Sequence, residues 1–200
     1  MTRALGLTLA VGALFAAPIA AQAGDPRLGR LDPGVRPVIA ALVDSARVAG
    51  LPTEPLIQRA LEGTSKRAAG DRVVAAVRRL ARDLGAARSA LGSAATAPEI
   101  DAGAAALYAG ARPAHLTALR TRRPHLSLVV PLGVLADLVA TGVPADTAAA
   151  AVLALAATTA DDDYLAFRRN VERDIALGAP PAAAAAVRST AATADAIPKP

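Results

Sequence analysis

The densest group of basic side chains in the sequence lies between positions 112 and 125 and includes both of its histidines. Guanidinium groups bind carboxylates and phosphates through paired hydrogen bonds, and imidazole offers a further donor. The stretch therefore predicts a possible anion-binding site for a phosphate, a carboxylate or an acidic polysaccharide. Its side chains are Arg112, His115, Arg120, Arg122, Arg123 and His125.

The same stretch also has a simpler interpretation as the end of a helix. Residues 114–123 have a helical pattern, with Leu116 and Leu119 on one side, and Pro124 would stop the helix. Basic side chains near the carboxyl end of a helix are stabilised by its dipole. We favour this interpretation, in which the bases face solvent, and keep the anion site as the functional alternative.

No standard metal-binding pattern occurs in the sequence. His115 and His125 lie on either side of Pro124 without the spacing of a metal site, and there is no cysteine to supply thiolate ligands. The acidic run 161–163 lacks the alternating oxygen ligands, turn glycine and distal glutamate of a calcium loop. Acids at the start of a helix are explained by capping and by the helix dipole. We therefore expect neither a metal nor another cofactor.

The common catalytic motifs are also missing. No serine lies in the Gly-x-Ser-x-Gly turn of a hydrolase nucleophile, and there is no glycine-rich phosphate loop. Each glutamate has a helical or capping explanation, so we expect a protein that is not an enzyme. Carboxylates that meet only in the folded chain can still hydrolyse a glycosidic bond. A hydrolase with a spatially assembled carboxylate site therefore stays open. The glutamates concerned are Glu54, Glu62, Glu99 and Glu172.

Residues 1–23 have the features of a secretory signal peptide. Arg3 is the only charged residue before Asp25, an apolar run occupies 5–15, and Ala21-Gln22-Ala23 places small residues where signal peptidase requires them. Cleavage after this triplet predicts an exported protein, either periplasmic or secreted. An uncleaved membrane anchor is the alternative, but the apolar run is short for a membrane span.

Composition limits the remaining possibilities. The chain has 200 residues, no cysteine and a net charge of +5, and alanine supplies much of its 54% hydrophobic content. This is the size of one domain, which must be stabilised by close packing because disulfides are not available. Arginine greatly outnumbers lysine, as in proteins from GC-rich genomes, so the arginine excess is a weak functional signal. Export and the scarcity of aromatic side chains argue against nucleic acid as a partner, and we expect no membrane span after signal cleavage.

A Gly-x-Pro pattern recurs along the chain and is clearest at Thr141–Asp146. Related copies are Gly50-Leu51-Pro52, Gly110–Pro113 and Gly178-Ala179-Pro180. Glycine just past a helix adopts the left-handed conformation that ends it, and proline fits the first turn of the next helix. Each copy therefore predicts a tight joint between two helices. Their spacing suits a degenerate helix–turn–helix repeat of roughly 30–36 residues, with chance recurrence in an alanine-, glycine- and proline-rich chain as the alternative.

Helical periodicity fills the segments between these joints. The clearest example is 71–91, where apolar residues repeat at the spacing of a helical seam. Thr96 and Glu99 have the spacing of a capping box, which starts another helix. No segment has convincing strand character. The predicted helices are 36–49, 53–63, 71–91, 96–109, 114–123, 128–141, 145–159, 161–177 and a last one that ends near 194.

Together these patterns predict an all-α protein. About nine short helices would form stacked antiparallel helix–turn–helix units, either as a bundle or as a short α-solenoid. We expect residues 1–23 to be the signal peptide, 24–34 a flexible leader, 35–195 a single helical domain and 196–200 a tail.

The expected function is that of an exported, non-catalytic helical protein of the cell envelope, acting as a scaffold or protein-interaction module. Its partner would be an envelope protein or an anionic envelope component. One alternative is an anion- or lipid-headgroup-binding envelope protein that uses 112–125 and the arginine side of 71–91. The other alternative is the hydrolase with assembled carboxylates.

Overall fold

The computed structural model of the chain describes residues 25–156 and 160–195, and within these ranges it contains nine α-helices and no strand. The predicted all-α class is therefore confirmed for the described residues. The predicted signal peptide and the 196–200 tail lie outside them. The helices are α1 (Arg36–Val48), α2 (Glu54–Ser65), α3 (Gly70–Leu91), α4 (Ala97–Ala109), α5 (Pro113–Arg122), α6 (Val129–Ala140), α7 (Ala145–Leu155), α8 (Asp161–Ala176) and α9 (Pro181–Asp195).

The four predicted joints share one backbone geometry. Their glycines have positive φ angles: 67° at Gly50, 122° at Gly110, 94° at Gly142 and 98° at Gly178. At each joint the glycine N–H donates to the carbonyl three residues earlier, and the next N–H donates to the carbonyl five residues earlier. This pair of hydrogen bonds caps the last carbonyl groups of the preceding helix. The prediction that these glycines end helices is thus confirmed.

A fifth joint of the same geometry follows α2 and contains no glycine. Arg67 has a φ of 54°, its N–H donates to the Thr64 carbonyl at 2.9 Å, and the Ala68 N–H donates to the Gly63 carbonyl at 3.0 Å. The helix therefore continues past Gly63, where we expected it to end, and stops at Ser65. An arginine in the left-handed region has no local sequence signal, which is why the pattern of glycines missed this joint.

The segment at 25–34, part of the 24–34 stretch predicted as a flexible leader, contains one short helical element. Pro26–Arg30 forms a 3-10 helix, and Leu28 and Leu31 are buried. Arg27 on this helix donates from Nη2 to Glu54 Oε2 of α2 at 2.6 Å. The segment is too short to show helical periodicity, and its two leucines and Arg27 hold it against the helices.

Helices that alternate in the sequence pack against one another. α1 contacts α3, α3 contacts α5, α5 contacts α7 and α7 contacts α9, while α4 contacts α6 and α6 contacts α8. The α4–α6 pair is the most extensive contact between any two described helices. The first and last helices, α1 and α9, are not among the pairs in extensive contact within the described ranges. The five odd-numbered helices therefore form one row and α4, α6 and α8 form an adjacent one, while α2 packs mainly on α3.

The core is closely packed and rich in alanine. The predicted seam of α3 is buried along its whole length. Gly103 of α4 lies against it so closely that an added Cβ would be 3.0 Å from Ala87 Cβ and 3.1 Å from Leu116 Cδ2. Small residues thus allow α3, α4 and α5 to approach one another. None of the described helices has the length and hydropathy of a membrane span.

Candidate binding sites

The six side chains predicted as a possible anion site lie at opposite ends of α5. Arg112 and His115 belong to the start of this helix, whereas the other four lie at its end or in the loop that leads to α6. A helix of ten residues is about 15 Å long, so the six groups do not converge on one ligand. They form separate clusters with separate partners.

The first cluster links α5 to the start of α7. His115 is buried, and its Nδ1 accepts a hydrogen bond from the backbone N–H of Arg112 at 3.2 Å. The other ring nitrogen, Nε2, lies 3.0 Å from Asp146 Oδ1 and 3.2 Å from Arg112 Nη2. The guanidinium of Arg112 pairs with the same carboxylate oxygen. Asp146, from the joint at Thr141–Asp146, thereby connects two helices.

The second cluster, at the other end of α5, is an ion pair between the buried Glu99 and the half-buried Arg120. Arg120 donates from Nη2 to Glu99 Oε1 at 2.6 Å, and the backbone N–H of Leu128 donates to the same oxygen at 3.0 Å. Glu99 Oε2 accepts the Thr96 N–H at 2.9 Å, which confirms the predicted capping box. One carboxylate therefore ties the start of α4 to the end of α5 and the start of α6.

The environment of Glu99 favours its charged form. Burial by itself raises the pKa of this carboxyl, but hydrogen bonds from the Thr96 N–H, the Arg120 guanidinium and the Leu128 N–H together outweigh it. The pKa of Glu99 is consequently lowered from its ordinary value. The Glu99 carboxylate therefore has a structural role, because three donors within the protein bind it.

Arg123 is also held by the protein. Its side chain is 5% exposed, its Nη2 lies 3.4 Å from Asp161 Oδ1, and its guanidinium lies 5.3 Å from the centre of the Tyr164 ring. Burial raises the pKa of the Tyr164 hydroxyl, and the neighbouring guanidinium partly opposes this. Arg123 therefore anchors the loop before α6 on α8.

Arg122 and His125 are the two members of the predicted set that are exposed and form no side-chain hydrogen bond with the described residues. Arg122 is the last residue of α5, and His125 lies in the loop that follows. The anion-site hypothesis stays a prediction, and it now depends on these two side chains. The sequence did not predict the structural roles of the other four side chains, because their acidic partners lie far away in the sequence.

The glutamates considered for a hydrolase each have a basic partner. Glu54 pairs with Arg27, Glu62 with Lys66, Glu99 with Arg120 and Glu172 with Arg168. Within the described ranges, His, Asp and Glu side chains form no group of three that could hold a metal ion. Glu99 therefore contributes to capping and to the contact between helices, and Glu54 to the contact of the 26–30 turn with α2. Glu62 and Glu172 pair within their own helices.

A groove between α2, α3 and α4 brings together charged and aromatic side chains that the sequence analysis did not link. It has a volume of about 250 Å³, and Tyr108 forms one wall. The guanidinium of Arg79 lies 4.2 Å from the ring centre, and that of Arg59 lies 5.6 Å away, within the range of cation–π attraction. Burial raises the pKa of Asp101, which also lines this groove. The groups come from three helices, so no local motif could have revealed the groove.

A second groove runs between α1 and α3. It has a volume of about 320 Å³, an apolar floor that includes Leu42 and Ala46, and a rim that carries Arg78 and Arg82. The sequence predicted the arginine side of this helix as a candidate surface, and the structure places these two of its arginines beside an apolar concavity. Pockets of this size are at the lower end of ligand sites, which run from about 300 to 1,000 Å³.

Comparison with known proteins gives no relative for this chain. No protein-family model, curated protein or solved structure matches it. Its function must therefore be inferred from its own residues and geometry.

Proposed function

We propose that the chain is an exported, non-catalytic helical protein of the cell envelope that acts as a scaffold or protein-interaction module. The observation that carries this proposal is the packing of alternate helices, α1 to α3 to α5 to α7 to α9 and α4 to α6 to α8. That arrangement is typical of stacked antiparallel helix–turn–helix units in a short α-solenoid. Such folds present extended grooves to protein partners.

The use of charged side chains supports a non-catalytic role. Glu99 is occupied by Arg120 and by two backbone N–H groups, and the remaining glutamates take part in ion pairs. His115 is buried in a contact with Asp146. The hydrolase alternative gains no support from these groups, because each has a structural partner.

The N-terminal sequence supports export. Residues 1–23 combine a single basic residue, an apolar run and the Ala21-Gln22-Ala23 triplet. Mass spectrometry of the protein recovered from the envelope or medium would test this, and we expect a mature chain that begins at Gly24. Recovery of the full-length chain from the cytoplasmic fraction would contradict export.

Anion or lipid-headgroup binding is the second candidate, and a specific observation favours it. Arg78, Arg82, Arg122 and His125 are exposed and have no hydrogen-bond or ion-pair partner among the described residues. Binding to anionic vesicles would weaken as salt is added, because exposed charges are screened. Vesicle co-sedimentation over a salt series separates this function from a protein-interaction role.

The interaction role itself is tested by crosslinking in intact cells. Photo-reactive residues placed at exposed positions on several helices should give the same crosslinked protein from more than one position. The complex should also survive size-exclusion chromatography of the solubilised envelope. A chain that is recovered as a monomer, with no protein crosslink from any position, would contradict the proposal.

A further inference from the structure

Arg78 and Arg82 are exposed cations that lie one turn apart on α3. Neither side chain forms an ion pair or a hydrogen bond with residues 25–156 or 160–195. Like charges at this spacing destabilise a helix. The fold therefore keeps two mutually repelling cations side by side without compensating them.

Other arginines of the same helix are used by the fold. Arg79 donates from Nη2 to the Tyr108 carbonyl at 3.1 Å, and Arg88 donates from Nη1 to the Ala95 carbonyl at 3.3 Å. Both residues thus tie α3 to neighbouring segments. Arg72, in the first turn of α3, is also exposed and has no partner among the described residues. Of these unpaired arginines, only Arg78 and Arg82 share the rim of the groove between α1 and α3.

The floor of this groove is apolar and shallow. Leu42 and Ala46 of α1, Ala81 of α3 and Leu51 of the first joint line it, and Ser45 supplies one hydroxyl. Small side chains on the floor leave room for an aliphatic side chain to enter. Apolar contact and two outward-facing cations are thus available to a single ligand.

We propose that this groove binds an acidic amphipathic helix of a protein partner. An apolar side chain of that helix enters the space between α1 and α3, and two carboxylates one turn apart pair with Arg78 and Arg82. Arginine forms bidentate hydrogen bonds with carboxylates, and an amphipathic helix in an apolar groove is a recurring mode of recognition. This inference rests on the proposed function and identifies its surface and the chemistry of its partner.

The positive charge of the groove indicates that its ligand is another protein and not a segment or a second copy of this chain. The sequence outside the described residues, at 1–24, 157–159 and 196–200, contains no Asp or Glu. A second copy of a chain with net charge +5 would approach against repulsion. Val48 is the only large exposed apolar side chain in α1 and α3, which is little for insertion into a membrane.

Photocrosslinking in cells that express the full chain tests this proposal. A photo-reactive residue is placed at Ser45, which lines the groove, and in a separate variant at Asp162, which is exposed on α8. We expect the Ser45 position to crosslink to a protein, and peptide mapping to locate the crosslink in a helical segment with acidic residues one turn apart. The Asp162 position should not crosslink to that segment.

Charge reversal separates the arginine contacts from general electrostatics. The double variant Arg78→Glu/Arg82→Glu should reduce the Ser45 crosslink at least about tenfold, since charge-assisted contacts are lost and repulsion is added. The matched control Arg169→Glu/Arg173→Glu changes the net charge equally, at two exposed arginines one turn apart on α8. It should leave the crosslink unchanged. Reversing the partner's two acids to lysine should restore crosslinking to the Arg78→Glu/Arg82→Glu variant.

Each other outcome overturns the inference in a distinct way. A Ser45 crosslink to a second copy of the chain, or binding of the purified chain to phosphatidylglycerol vesicles that Arg78→Glu/Arg82→Glu abolishes, would assign the groove to another ligand. Protein crosslinks from other helices but none from Ser45 would show that the partner does not bind in this groove, and the proposed interaction role would still stand. No crosslink from any position would contradict both proposals. Circular dichroism of every variant checks that the helical fold is retained.

Discussion

Glu99 and Arg120 are joined by a 2.6 Å hydrogen bond between a carboxylate that is only 4% exposed and a guanidinium from the neighbouring helix. The carboxylate also accepts the backbone N–H groups of Thr96 and Leu128. Three segments, the start of α4, the end of α5 and the start of α6, therefore meet at a single charged group.

Replacing this charge should destabilise the protein. Glu99→Gln keeps the shape of the side chain but weakens its hydrogen bonds and leaves Arg120 partly buried without a counter-charge, so we expect a loss of about 2 kcal/mol or more. Urea denaturation would measure it. Glu172→Gln, at a longer and partly exposed pair with Arg168, is the control and should cost less than about 0.5 kcal/mol. Equal losses for the two variants would contradict the proposed role of Glu99.

The same pair predicts a pH dependence of stability. The pKa of Glu99 is lowered in the folded chain, so its contribution is fully present above the unfolded value of about 4.3. That contribution is lost as the pH falls through the lowered pKa of the folded state. The difference in unfolding free energy between wild type and Glu99→Gln should therefore shrink below about pH 4. A difference that stays constant from pH 7 to pH 3 would show that the charge of Glu99 is not responsible.

The joint at Thr141–Asp146 allows a matched pair of glycine substitutions. Gly142 has a φ of 94°, and an added Cβ would have room, with Pro181 Cγ at 3.8 Å. Gly142→Ala should therefore destabilise through backbone strain alone, by about 1 kcal/mol. Gly133→Ala, within α6 and with open space around the new Cβ, should instead stabilise by up to about 1 kcal/mol. Thermal unfolding of both variants tests the opposite signs, and a neutral Gly142→Ala would contradict the capping role.

The sequence predicted the helices well because their signals are local. Gly142 and the three related glycines end helices through their own φ angles, and the Thr96–Glu99 capping box needs only four consecutive residues. Arg67 shows the limit of this reasoning. It adopts the left-handed conformation without being glycine, so nothing in the local sequence marks the end of α2.

The candidate sites were much less predictable because they depend on distant partners. Arg112 was an expected anion ligand, but its guanidinium pairs with Asp146, from a different joint of the chain. Arg120 pairs in the same way with Glu99. The sequence correctly predicted Glu99 as a helix cap, but it did not predict this second partner. The groove beside Arg78 forms only where α1 and α3 pack together. Sequence spacing along one helix contains none of this information.

Arg67 also offers a test by substitution. A non-glycine residue in the left-handed conformation is strained by about 1 kcal/mol, and the Arg67 side chain makes no hydrogen bond or ion pair with the described residues. Arg67→Gly should therefore stabilise the protein by up to about 1 kcal/mol. Arg169→Gly, in the middle of α8, removes the same side chain from an exposed helical position and should destabilise by about 1 kcal/mol. If both variants lost stability, the strain at Arg67 would be refuted.

The close approach of α3, α4 and α5 at Gly103 predicts that even one methyl group is too large. Its Cβ would lie 3.0 to 3.2 Å from Ala87, Leu116 and Leu91. Overpacking of this kind typically costs about 1–3 kcal/mol, which exceeds the gain of about 1 kcal/mol from replacing a helical glycine by alanine. Gly103→Ala should therefore be destabilising in urea denaturation. Gly85→Ala in α3 adds the same methyl group into open space and should be stabilising. If Gly103→Ala were as stabilising as Gly85→Ala, the helices would have to be farther apart than described, because only then would the helix propensity of alanine outweigh the contacts of its Cβ.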